Sequence, residues 1–194
     1  MFEKRALTKK EQEIVRKIFP GSSEEDLEDI IGAPDSKRLQ GWQAEVWFNS
    51  ELEKVFNPSP VGGEPGYSWK SKPDRIGFRY DIEWIGDFFI DYFGNIEVKS
   101  TDNPNQCNIN VHRWNKEPTL YVAVVLVQNN EFSLLGWKYG YEVYECEVVG
   151  EFSHPASFYK LVKFRSPELF KHKLLKVAQL HKQIIKEKQK RNRI

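Results

Sequence analysis

Gly86-Asp87-Phe88-Phe89-Ile90-Asp91-Tyr92-Phe93-Gly94-Asn95-Ile96-Glu97-Val98-Lys99-Ser100-Thr101 is the stretch that decides how this chain is read. Two runs rich in Phe, Ile, Tyr and Val flank Gly94-Asn95, the pattern of a β-hairpin with strands expected over 87–93 and 96–101. Asp87, Glu97 and Lys99 interrupt that apolar frame. A charge in a buried strand is costly unless it is paired or bound to a metal. Two carboxylates and an ammonium at one end of a hairpin are the groups that metal-assisted phosphodiester hydrolysis requires. The carboxylates hold a divalent cation, and the lysine orients or deprotonates a water.

The turn decides which face Asp87 takes. A strict two-residue turn at Gly94-Asn95 sets Tyr92 opposite Glu97 and sends Asp87 to the other face, because side chains alternate along a strand. A three-residue loop or a bulge pairs Asp91 with Glu97 and returns Asp87 to the face of Glu97. Asp87 is read as the first metal ligand, Asp91 as its alternative and Asp81 as a more distant one.

Working outward, Leu7 to Phe19 reads as a short helix in which Thr8 and Glu11 fit a capping box. Ser22 opens a second helix that Gly32-Ala33-Pro34 ends. A third is expected over 37–56, with Glu45 on the stripe shared by Phe48, Leu52 and Phe56, while Glu51 and Glu53 lie off it. Residues 57–73 read as a long Pro- and Gly-rich loop, and 78–85 as an alternating strand. Residues 102–117 are polar and suit a helix or an irregular segment. The β-branched run 119–127 reads as a strand buried on both faces. Asn129-Asn130 marks a turn into 132–137, 141–149 reads as another strand, and Pro167 opens a long basic helix reaching about Lys190. The expected class is α/β (α+β): a central mixed sheet flanked by helices, in one domain with a helical extension (1–36), a core (37–150) and a basic C-terminal helix (151–194).

Order and spacing together resemble the PD-(D/E)XK nuclease superfamily, the restriction-endonuclease-like fold. The match is carried by Asp87, then nine residues, then Glu97-Val98-Lys99, a spacing that looks like that of lambda-type phage exonucleases. Gly41-Trp42-Gln43-Ala44-Glu45 resembles the helix that supplies a further acid in many members, and Tyr121 to Leu126 the next core strand. The resemblance spans roughly residues 38–140. It implies candidate catalytic residues Glu45, Asp87, Glu97 and Lys99, with Mg²⁺ or Mn²⁺ held by Asp87, Glu97 and the Val98 carbonyl. The plainer alternative for Glu97 and Lys99 is an exposed ion pair on an edge strand; for Asp87, a turn residue; for Glu45, a helix-surface acid. Gln106, Asn110 and His112 are candidate phosphate contacts, and Tyr67, Trp69 and Trp114 are either base-stacking residues or core anchors.

Charge adds a second signal. The chain's net charge is +1, yet Lys160 to Ile194 holds 12 Lys or Arg against two acids, a net of +10, leaving −9 on the remainder. Lys171, Lys173, Lys176, Lys182, Lys186, Lys190, Arg191 and Arg193 therefore form a candidate nucleic-acid-binding tail, with a solvated amphipathic helix as the alternative. The expected activity is a Mg²⁺-dependent deoxyribonuclease, endonuclease favoured over exonuclease. A non-catalytic nucleic-acid-binding protein and an RNA-processing nuclease are the alternatives. DNA is the expected partner, with a homodimer as a further arrangement. Two cysteines, Cys107 and Cys146, make neither a disulfide framework nor an iron–sulfur site. No apolar run approaches membrane-spanning length, so no membrane association and a cytoplasmic location are expected.

Overall fold

A computed structural model describes residues 1–18, 35–57, 65–70, 86–112, 120–151 and 156–192. The expected helix over 22–32, the strand over 78–85, Asp81, Trp114 and Arg193 lie outside the described residues. The elements are β1 (Arg5–Ala6), α1 (Lys9–Ile18), α2 (Asp35–Glu53), β2 (Tyr67–Trp69), β3 (Phe88–Ile90), β4 (Gly94–Thr101), β5 (Cys107–His112), β6 (Leu120–Gln128), β7 (Glu131–Tyr139), α3 (Gly140–Val143), β8 (Glu147–Glu151), β9 (Ala156–Leu161) and α4 (Pro167–Arg191). The fold is mixed α/β. A six-stranded sheet runs in the order β1-β7-β6-β4-β3-β2, and a three-stranded sheet in the order β5-β9-β8. Only the β4–β6 pairing is parallel among those described; the other pairs are antiparallel.

β6 is the centre of the large sheet, and its sequence explains why. Strand alternation sends Ala123 and Val125 into one core and Leu120, Val122 and Val124 into another, all fully buried. The first core holds the apolar side of α2 (Ala44, Trp47, Phe48, Leu52), β3, β7 and Phe170, Leu174 and Ala178 of α4. Phe170 is its hub, within aromatic contact of Phe2, Phe48, Phe93, Tyr121 and Trp137. The second core gathers Cys107, Ile109, Val143 and Leu161 against the opposite face of β6. The two-sided burial read from the β-branched run is borne out.

Helix ends follow their local chemistry. Glu11 N–H donates to Thr8 Oγ1 at 3.3 Å and Thr8 N–H to Glu11 Oε2 at 2.6 Å, completing the expected capping box. Ser166 caps α4 by accepting from Leu169 N–H, with Pro167 in the first turn. Asn129 and Asn130 both adopt positive φ in the tight turn between β6 and β7, as side chains of that type tolerate. Among the described residues, no helix is long and apolar enough to cross a membrane.

Three expectations are corrected. Residues 57–73 are not one loop, because Tyr67–Trp69 pairs with β3 in the register Tyr67↔Ile90. Residues 107–112 form a strand, paired with β9, so the three-stranded sheet recruits both the polar segment and residues assigned to the basic tail. Residues 141–149 divide between α3 and β8. In the first two cases a distant partner completes a short or polar strand whose own sequence carries little β signal.

Glu51 is the fourth correction. Read as lying off the apolar stripe, it is wholly buried, paired with Lys54 and Arg5 and accepting from Phe2 N–H. Arg5 also makes a two-pronged pair with Glu11 at 2.7 and 2.8 Å, joining β1, α1 and α2. Burial pushes the Glu11 carboxyl up, but hydrogen bonds from Arg5, Ser50 and Thr8 outweigh it and hold the pKa at about 2. A depressed carboxyl stabilises the fold above its unfolded pKa and loses that contribution as pH falls through the folded value. Glu11→Gln should therefore cost about 2 kcal/mol at neutral pH. In urea melts, the gap between the two proteins should close as pH falls from about 4.5 toward about 2.

Candidate active site

The site begins where β3 stops and β4 continues. The hairpin register runs Phe88↔Ile96, Phe89↔Asn95 and Ile90↔Gly94. The turn therefore lies at Asp91-Tyr92-Phe93 and not at Gly94-Asn95. It is closed by a Phe93 N–H to Ile90 carbonyl bond of 3.0 Å, with positive φ at Tyr92 and Gly94. Asn95 instead sits buried inside β4. A three-residue loop moves the register by an even number of positions from the loop reading above. Asp87 immediately precedes β3, and its carboxyl reaches β4 at Val98 N–H and is an electrostatic neighbour of Glu97. Asp91 stays in the turn, where its carboxylate accepts from Gly66 N–H at 3.0 Å. That contact gives it a structural task at the far end of the hairpin, away from Glu97.

Past Asp87, β4 is paired on one edge only, with β6 through Thr101↔Leu126. The first N–H on the open edge belongs to Val98, and it donates to Asp87 Oδ2 at 2.7 Å. In an extended strand the N–H and C=O of one residue point the same way, so the Val98 carbonyl faces that open edge too. Asp87 is itself anchored by its backbone, which donates to the Ile96 carbonyl at 2.9 Å and accepts from Lys70. Gly86 is required beside it: a Cβ there would lie 2.6 Å from the Ile96 oxygen. The glycine that reads as a turn marker is in fact the clearance that lets Asp87 reach β4.

Glu97 and Lys99 pair with each other on the same face of β4, next to Val122 and Val124 of β6. Their side chains are 12% and 29% exposed, so they are not a solvated surface pair. Glu45, on α2, approaches from across the open edge, held by Trp69 Nε1–H at 3.2 Å. The four candidate catalytic residues are thus electrostatic neighbours. Burial, then Glu45 and Glu97, push the Asp87 carboxyl well above the usual carboxylate range, against the pull of Lys99 and of Val98 N–H. Burial alone would lower Lys99, but the charges of Glu97, Asp87 and Glu45 together raise it. Trp69 stacks on Phe88 and Tyr67 donates to Asn49 Oδ1 at 3.0 Å; both are buried, so they are core anchors and do not stack on bases.

Among the described residues, no three His, Cys, Asp or Glu side chains converge as a ready-made metal cage. The donors present are the Asp87 and Glu97 carboxylates and the Val98 carbonyl, all hard oxygens. That set fits an ion such as Mg²⁺, which takes one or two carboxylates and keeps several waters. Three carboxylates facing one ammonium also leave negative charge that a cation would offset.

A groove of about 720 Å³ opens beside this cluster, lined by the start of α2, by β4 from Val98 to Thr101 and by the segment leading into β5. Gln106 lies on its wall, whereas the side chains of Asn110 and His112 lie outside the described residues. Lys37 is a site neighbour that sequence reading did not select, and Trp69, read as a base-stacking residue or a core anchor, was not expected to hold Glu45. Trp69 sits in a stretch taken for loop, and Lys37 is one lysine among 20. Comparison with family models, curated proteins and solved structures finds no match.

A carboxyl whose pKa is raised on folding lowers the stability of the fold as pH rises from its unfolded value through its folded one. Asp87→Asn removes this penalty while its amide oxygen still accepts from Val98 N–H. The variant should be more stable than the parent by roughly 1 kcal/mol in metal-free thermal melts at neutral pH. Gly86→Ala should lower stability and weaken cation binding, read by melting with and without Mn²⁺.

Proposed function

We propose that this protein is a metal-dependent nuclease that hydrolyses phosphodiester bonds in DNA, with endonuclease action favoured, on a restriction-endonuclease-like core. The observation that carries the reading is the cluster beside the open edge of β4, in which Asp87 meets Val98 N–H and is an electrostatic neighbour of Glu97, Lys99 and Glu45. The sequence resemblance to the PD-(D/E)XK superfamily supports the same assignment.

Asp87, Glu97 and the Val98 carbonyl would hold the cation. When bound, Mg²⁺ or Mn²⁺ supplies charge to the phosphate and acidity to a water. The chain's own groups do the rest. The Val98 N–H fixes one Asp87 oxygen, which leaves the other for the cation. Lys99 keeps its proton beside Glu97, Asp87 and Glu45. It therefore acts as a donor that positions the attacking water and offsets phosphoryl charge, and not as the base. Trp69 fixes the Glu45 carboxylate, which completes the acidic wall.

The basic helix would hold the backbone of the substrate. Lys171, Lys176, Lys182, Lys186, Lys190 and Arg191 are exposed along α4, while Phe170, Leu174, Ala178 and His181 bury its other face. Lys173 departs from that array. It is half-buried, lying 5.7 Å from the ring centre of Trp137 and 5.9 Å from that of Tyr139.

Labelled single-stranded, duplex and branched DNA should be cut with Mg²⁺ or Mn²⁺ and not with EDTA. Glu97→Ala and Lys99→Ala should each lower the rate at least about a hundredfold. Since Asp87 is held above the ordinary range, the acid limb of the rate profile should lie above about pH 4. Lys182→Ala with Lys186→Ala should weaken duplex binding and reduce the salt slope by about 2. Binding that survives without any cutting, in parent and Glu97→Ala alike, would replace this reading with that of a non-catalytic nucleic-acid-binding protein.

A further inference from the structure

The groove beside Lys99 is the wrong kind of surface for a phosphate backbone. Its charged lining residues are Lys37, Lys99, Glu45 and Asp102, which sum to zero. The strongly basic surface is on α4, which does not line it. What the groove offers instead is hydrogen-bonding amides and one aromatic ring. Gln40 and Trp42 come from α2, and Asn103, Gln106 and Asn108 from the segment that enters β5. Amides carry a donor and an acceptor side by side, which matches the edge of a nucleobase; a partly exposed indole presents a face on which a base can stack. The volume, about 720 Å³, is that of a small-molecule pocket and accepts an inserted group, not a duplex.

We infer that this groove takes one unpaired nucleobase, next to the phosphate that lies at Lys99. The inference rests on the nuclease reading for the identity of the ligand and gives its substrate class: nucleic acid with a single-stranded or extruded nucleotide beside the bond to be cut. Base pairing ties up the edge that the amides would read, and stacking covers the face that Trp42 would meet, so a fully paired nucleotide cannot make either contact without being flipped out. Lys99 receives the phosphate, and the amides and the indole of the lining receive the base.

The groove's geometry also explains why its two walls come from distant parts of the chain. Thr101 Oγ1 donates to the Gln106 carbonyl at 2.8 Å, and Asn103 N–H donates back to Thr101 Oγ1 at 3.1 Å. These bonds fold residues 101–106 into a tight bend. The bend brings Gln106 and Asn108 alongside β4, facing α2.

The test uses binding in a protein that does not cut. Glu97→Gln, without metal, is titrated with a short single-stranded DNA oligonucleotide and with versions carrying one abasic residue at each position in turn, read by fluorescence anisotropy. One position should stand out, with removal of its base weakening binding about tenfold, the order expected for a single stacked base. That position effect should vanish when Gln106→Ala and Asn108→Ala are added, and survive Trp42→Phe, which keeps a ring. Equal affinity at every abasic position, or a position effect that survives loss of both amides, overturns the inference; so does an absence of binding. Cleavage by the parent protein is scored separately. A parent that never cuts, with the abasic effect intact, sinks the nuclease reading and leaves the base pocket standing.

Discussion

The bond from Val98 N–H to Asp87 Oδ2 is the contact on which the site depends. β3 ends after three residues while β4 runs for eight, so the open edge of β4 has a backbone donor that a neighbouring strand no longer meets. A buried donor without a partner would cost about 1–3 kcal/mol. A carboxylate meets it instead, and this fixes one oxygen of Asp87 in the electrostatic neighbourhood of Glu97 and Lys99. Backbone satisfaction and the proposed cation site rest on the same contact.

The rest of the fold holds that edge in place. β6 stiffens β4 from the other side through seven parallel register positions. α2 spans the opening, pinned by Trp47, Phe48 and Leu52 in the core, and so carries Glu45 to a fixed place. Trp69 then links the two layers, stacking on Phe88 of β3 while donating to Glu45. α4 reaches the same hairpin from its tip: His181 is buried, with its Nε2 2.8 Å from the Asp91 carbonyl and its ring against Phe56 and Tyr92. The basic helix and the acidic site are thus joined through one turn of three residues.

The arrangement has an energetic cost. Asp87 is raised well above its ordinary pKa because burial and two neighbouring carboxylates oppose its charge. Groups kept in such a state commonly serve function at the expense of stability. The Arg5–Glu11 pair at the other end of α2 is the opposite case, since there each charge meets its counterpart and Glu11 is held low.

Much of this was legible in the residues themselves. The capping box at Thr8 and Glu11, the two-sided burial of β6, the Asn129-Asn130 turn and the long amphipathic α4 are local matters of propensity, periodicity and turn chemistry, and these were read correctly. The candidate residues Asp87, Glu97 and Lys99 stood out because charge in an apolar frame is visible in one dimension. What the sequence could not supply was long-range partnership. A shift of one residue in register reverses every side chain, and Gly94-Asn95 offered a stronger local turn signal than Asp91-Tyr92-Phe93, yet the β3–β4 register places the turn earlier and Asp87 meets β4 at Val98 N–H. The same holds for β2, β5 and β9, whose sequences become strands only against distant partners, and for Glu51, whose burial is tolerated only because Arg5 and Lys54 reach it. Sequence by itself determined which residues could do chemistry, because that is a property of side chains. Tertiary structure decided which of them meet, because pairing register and packing are set between segments far apart in the chain.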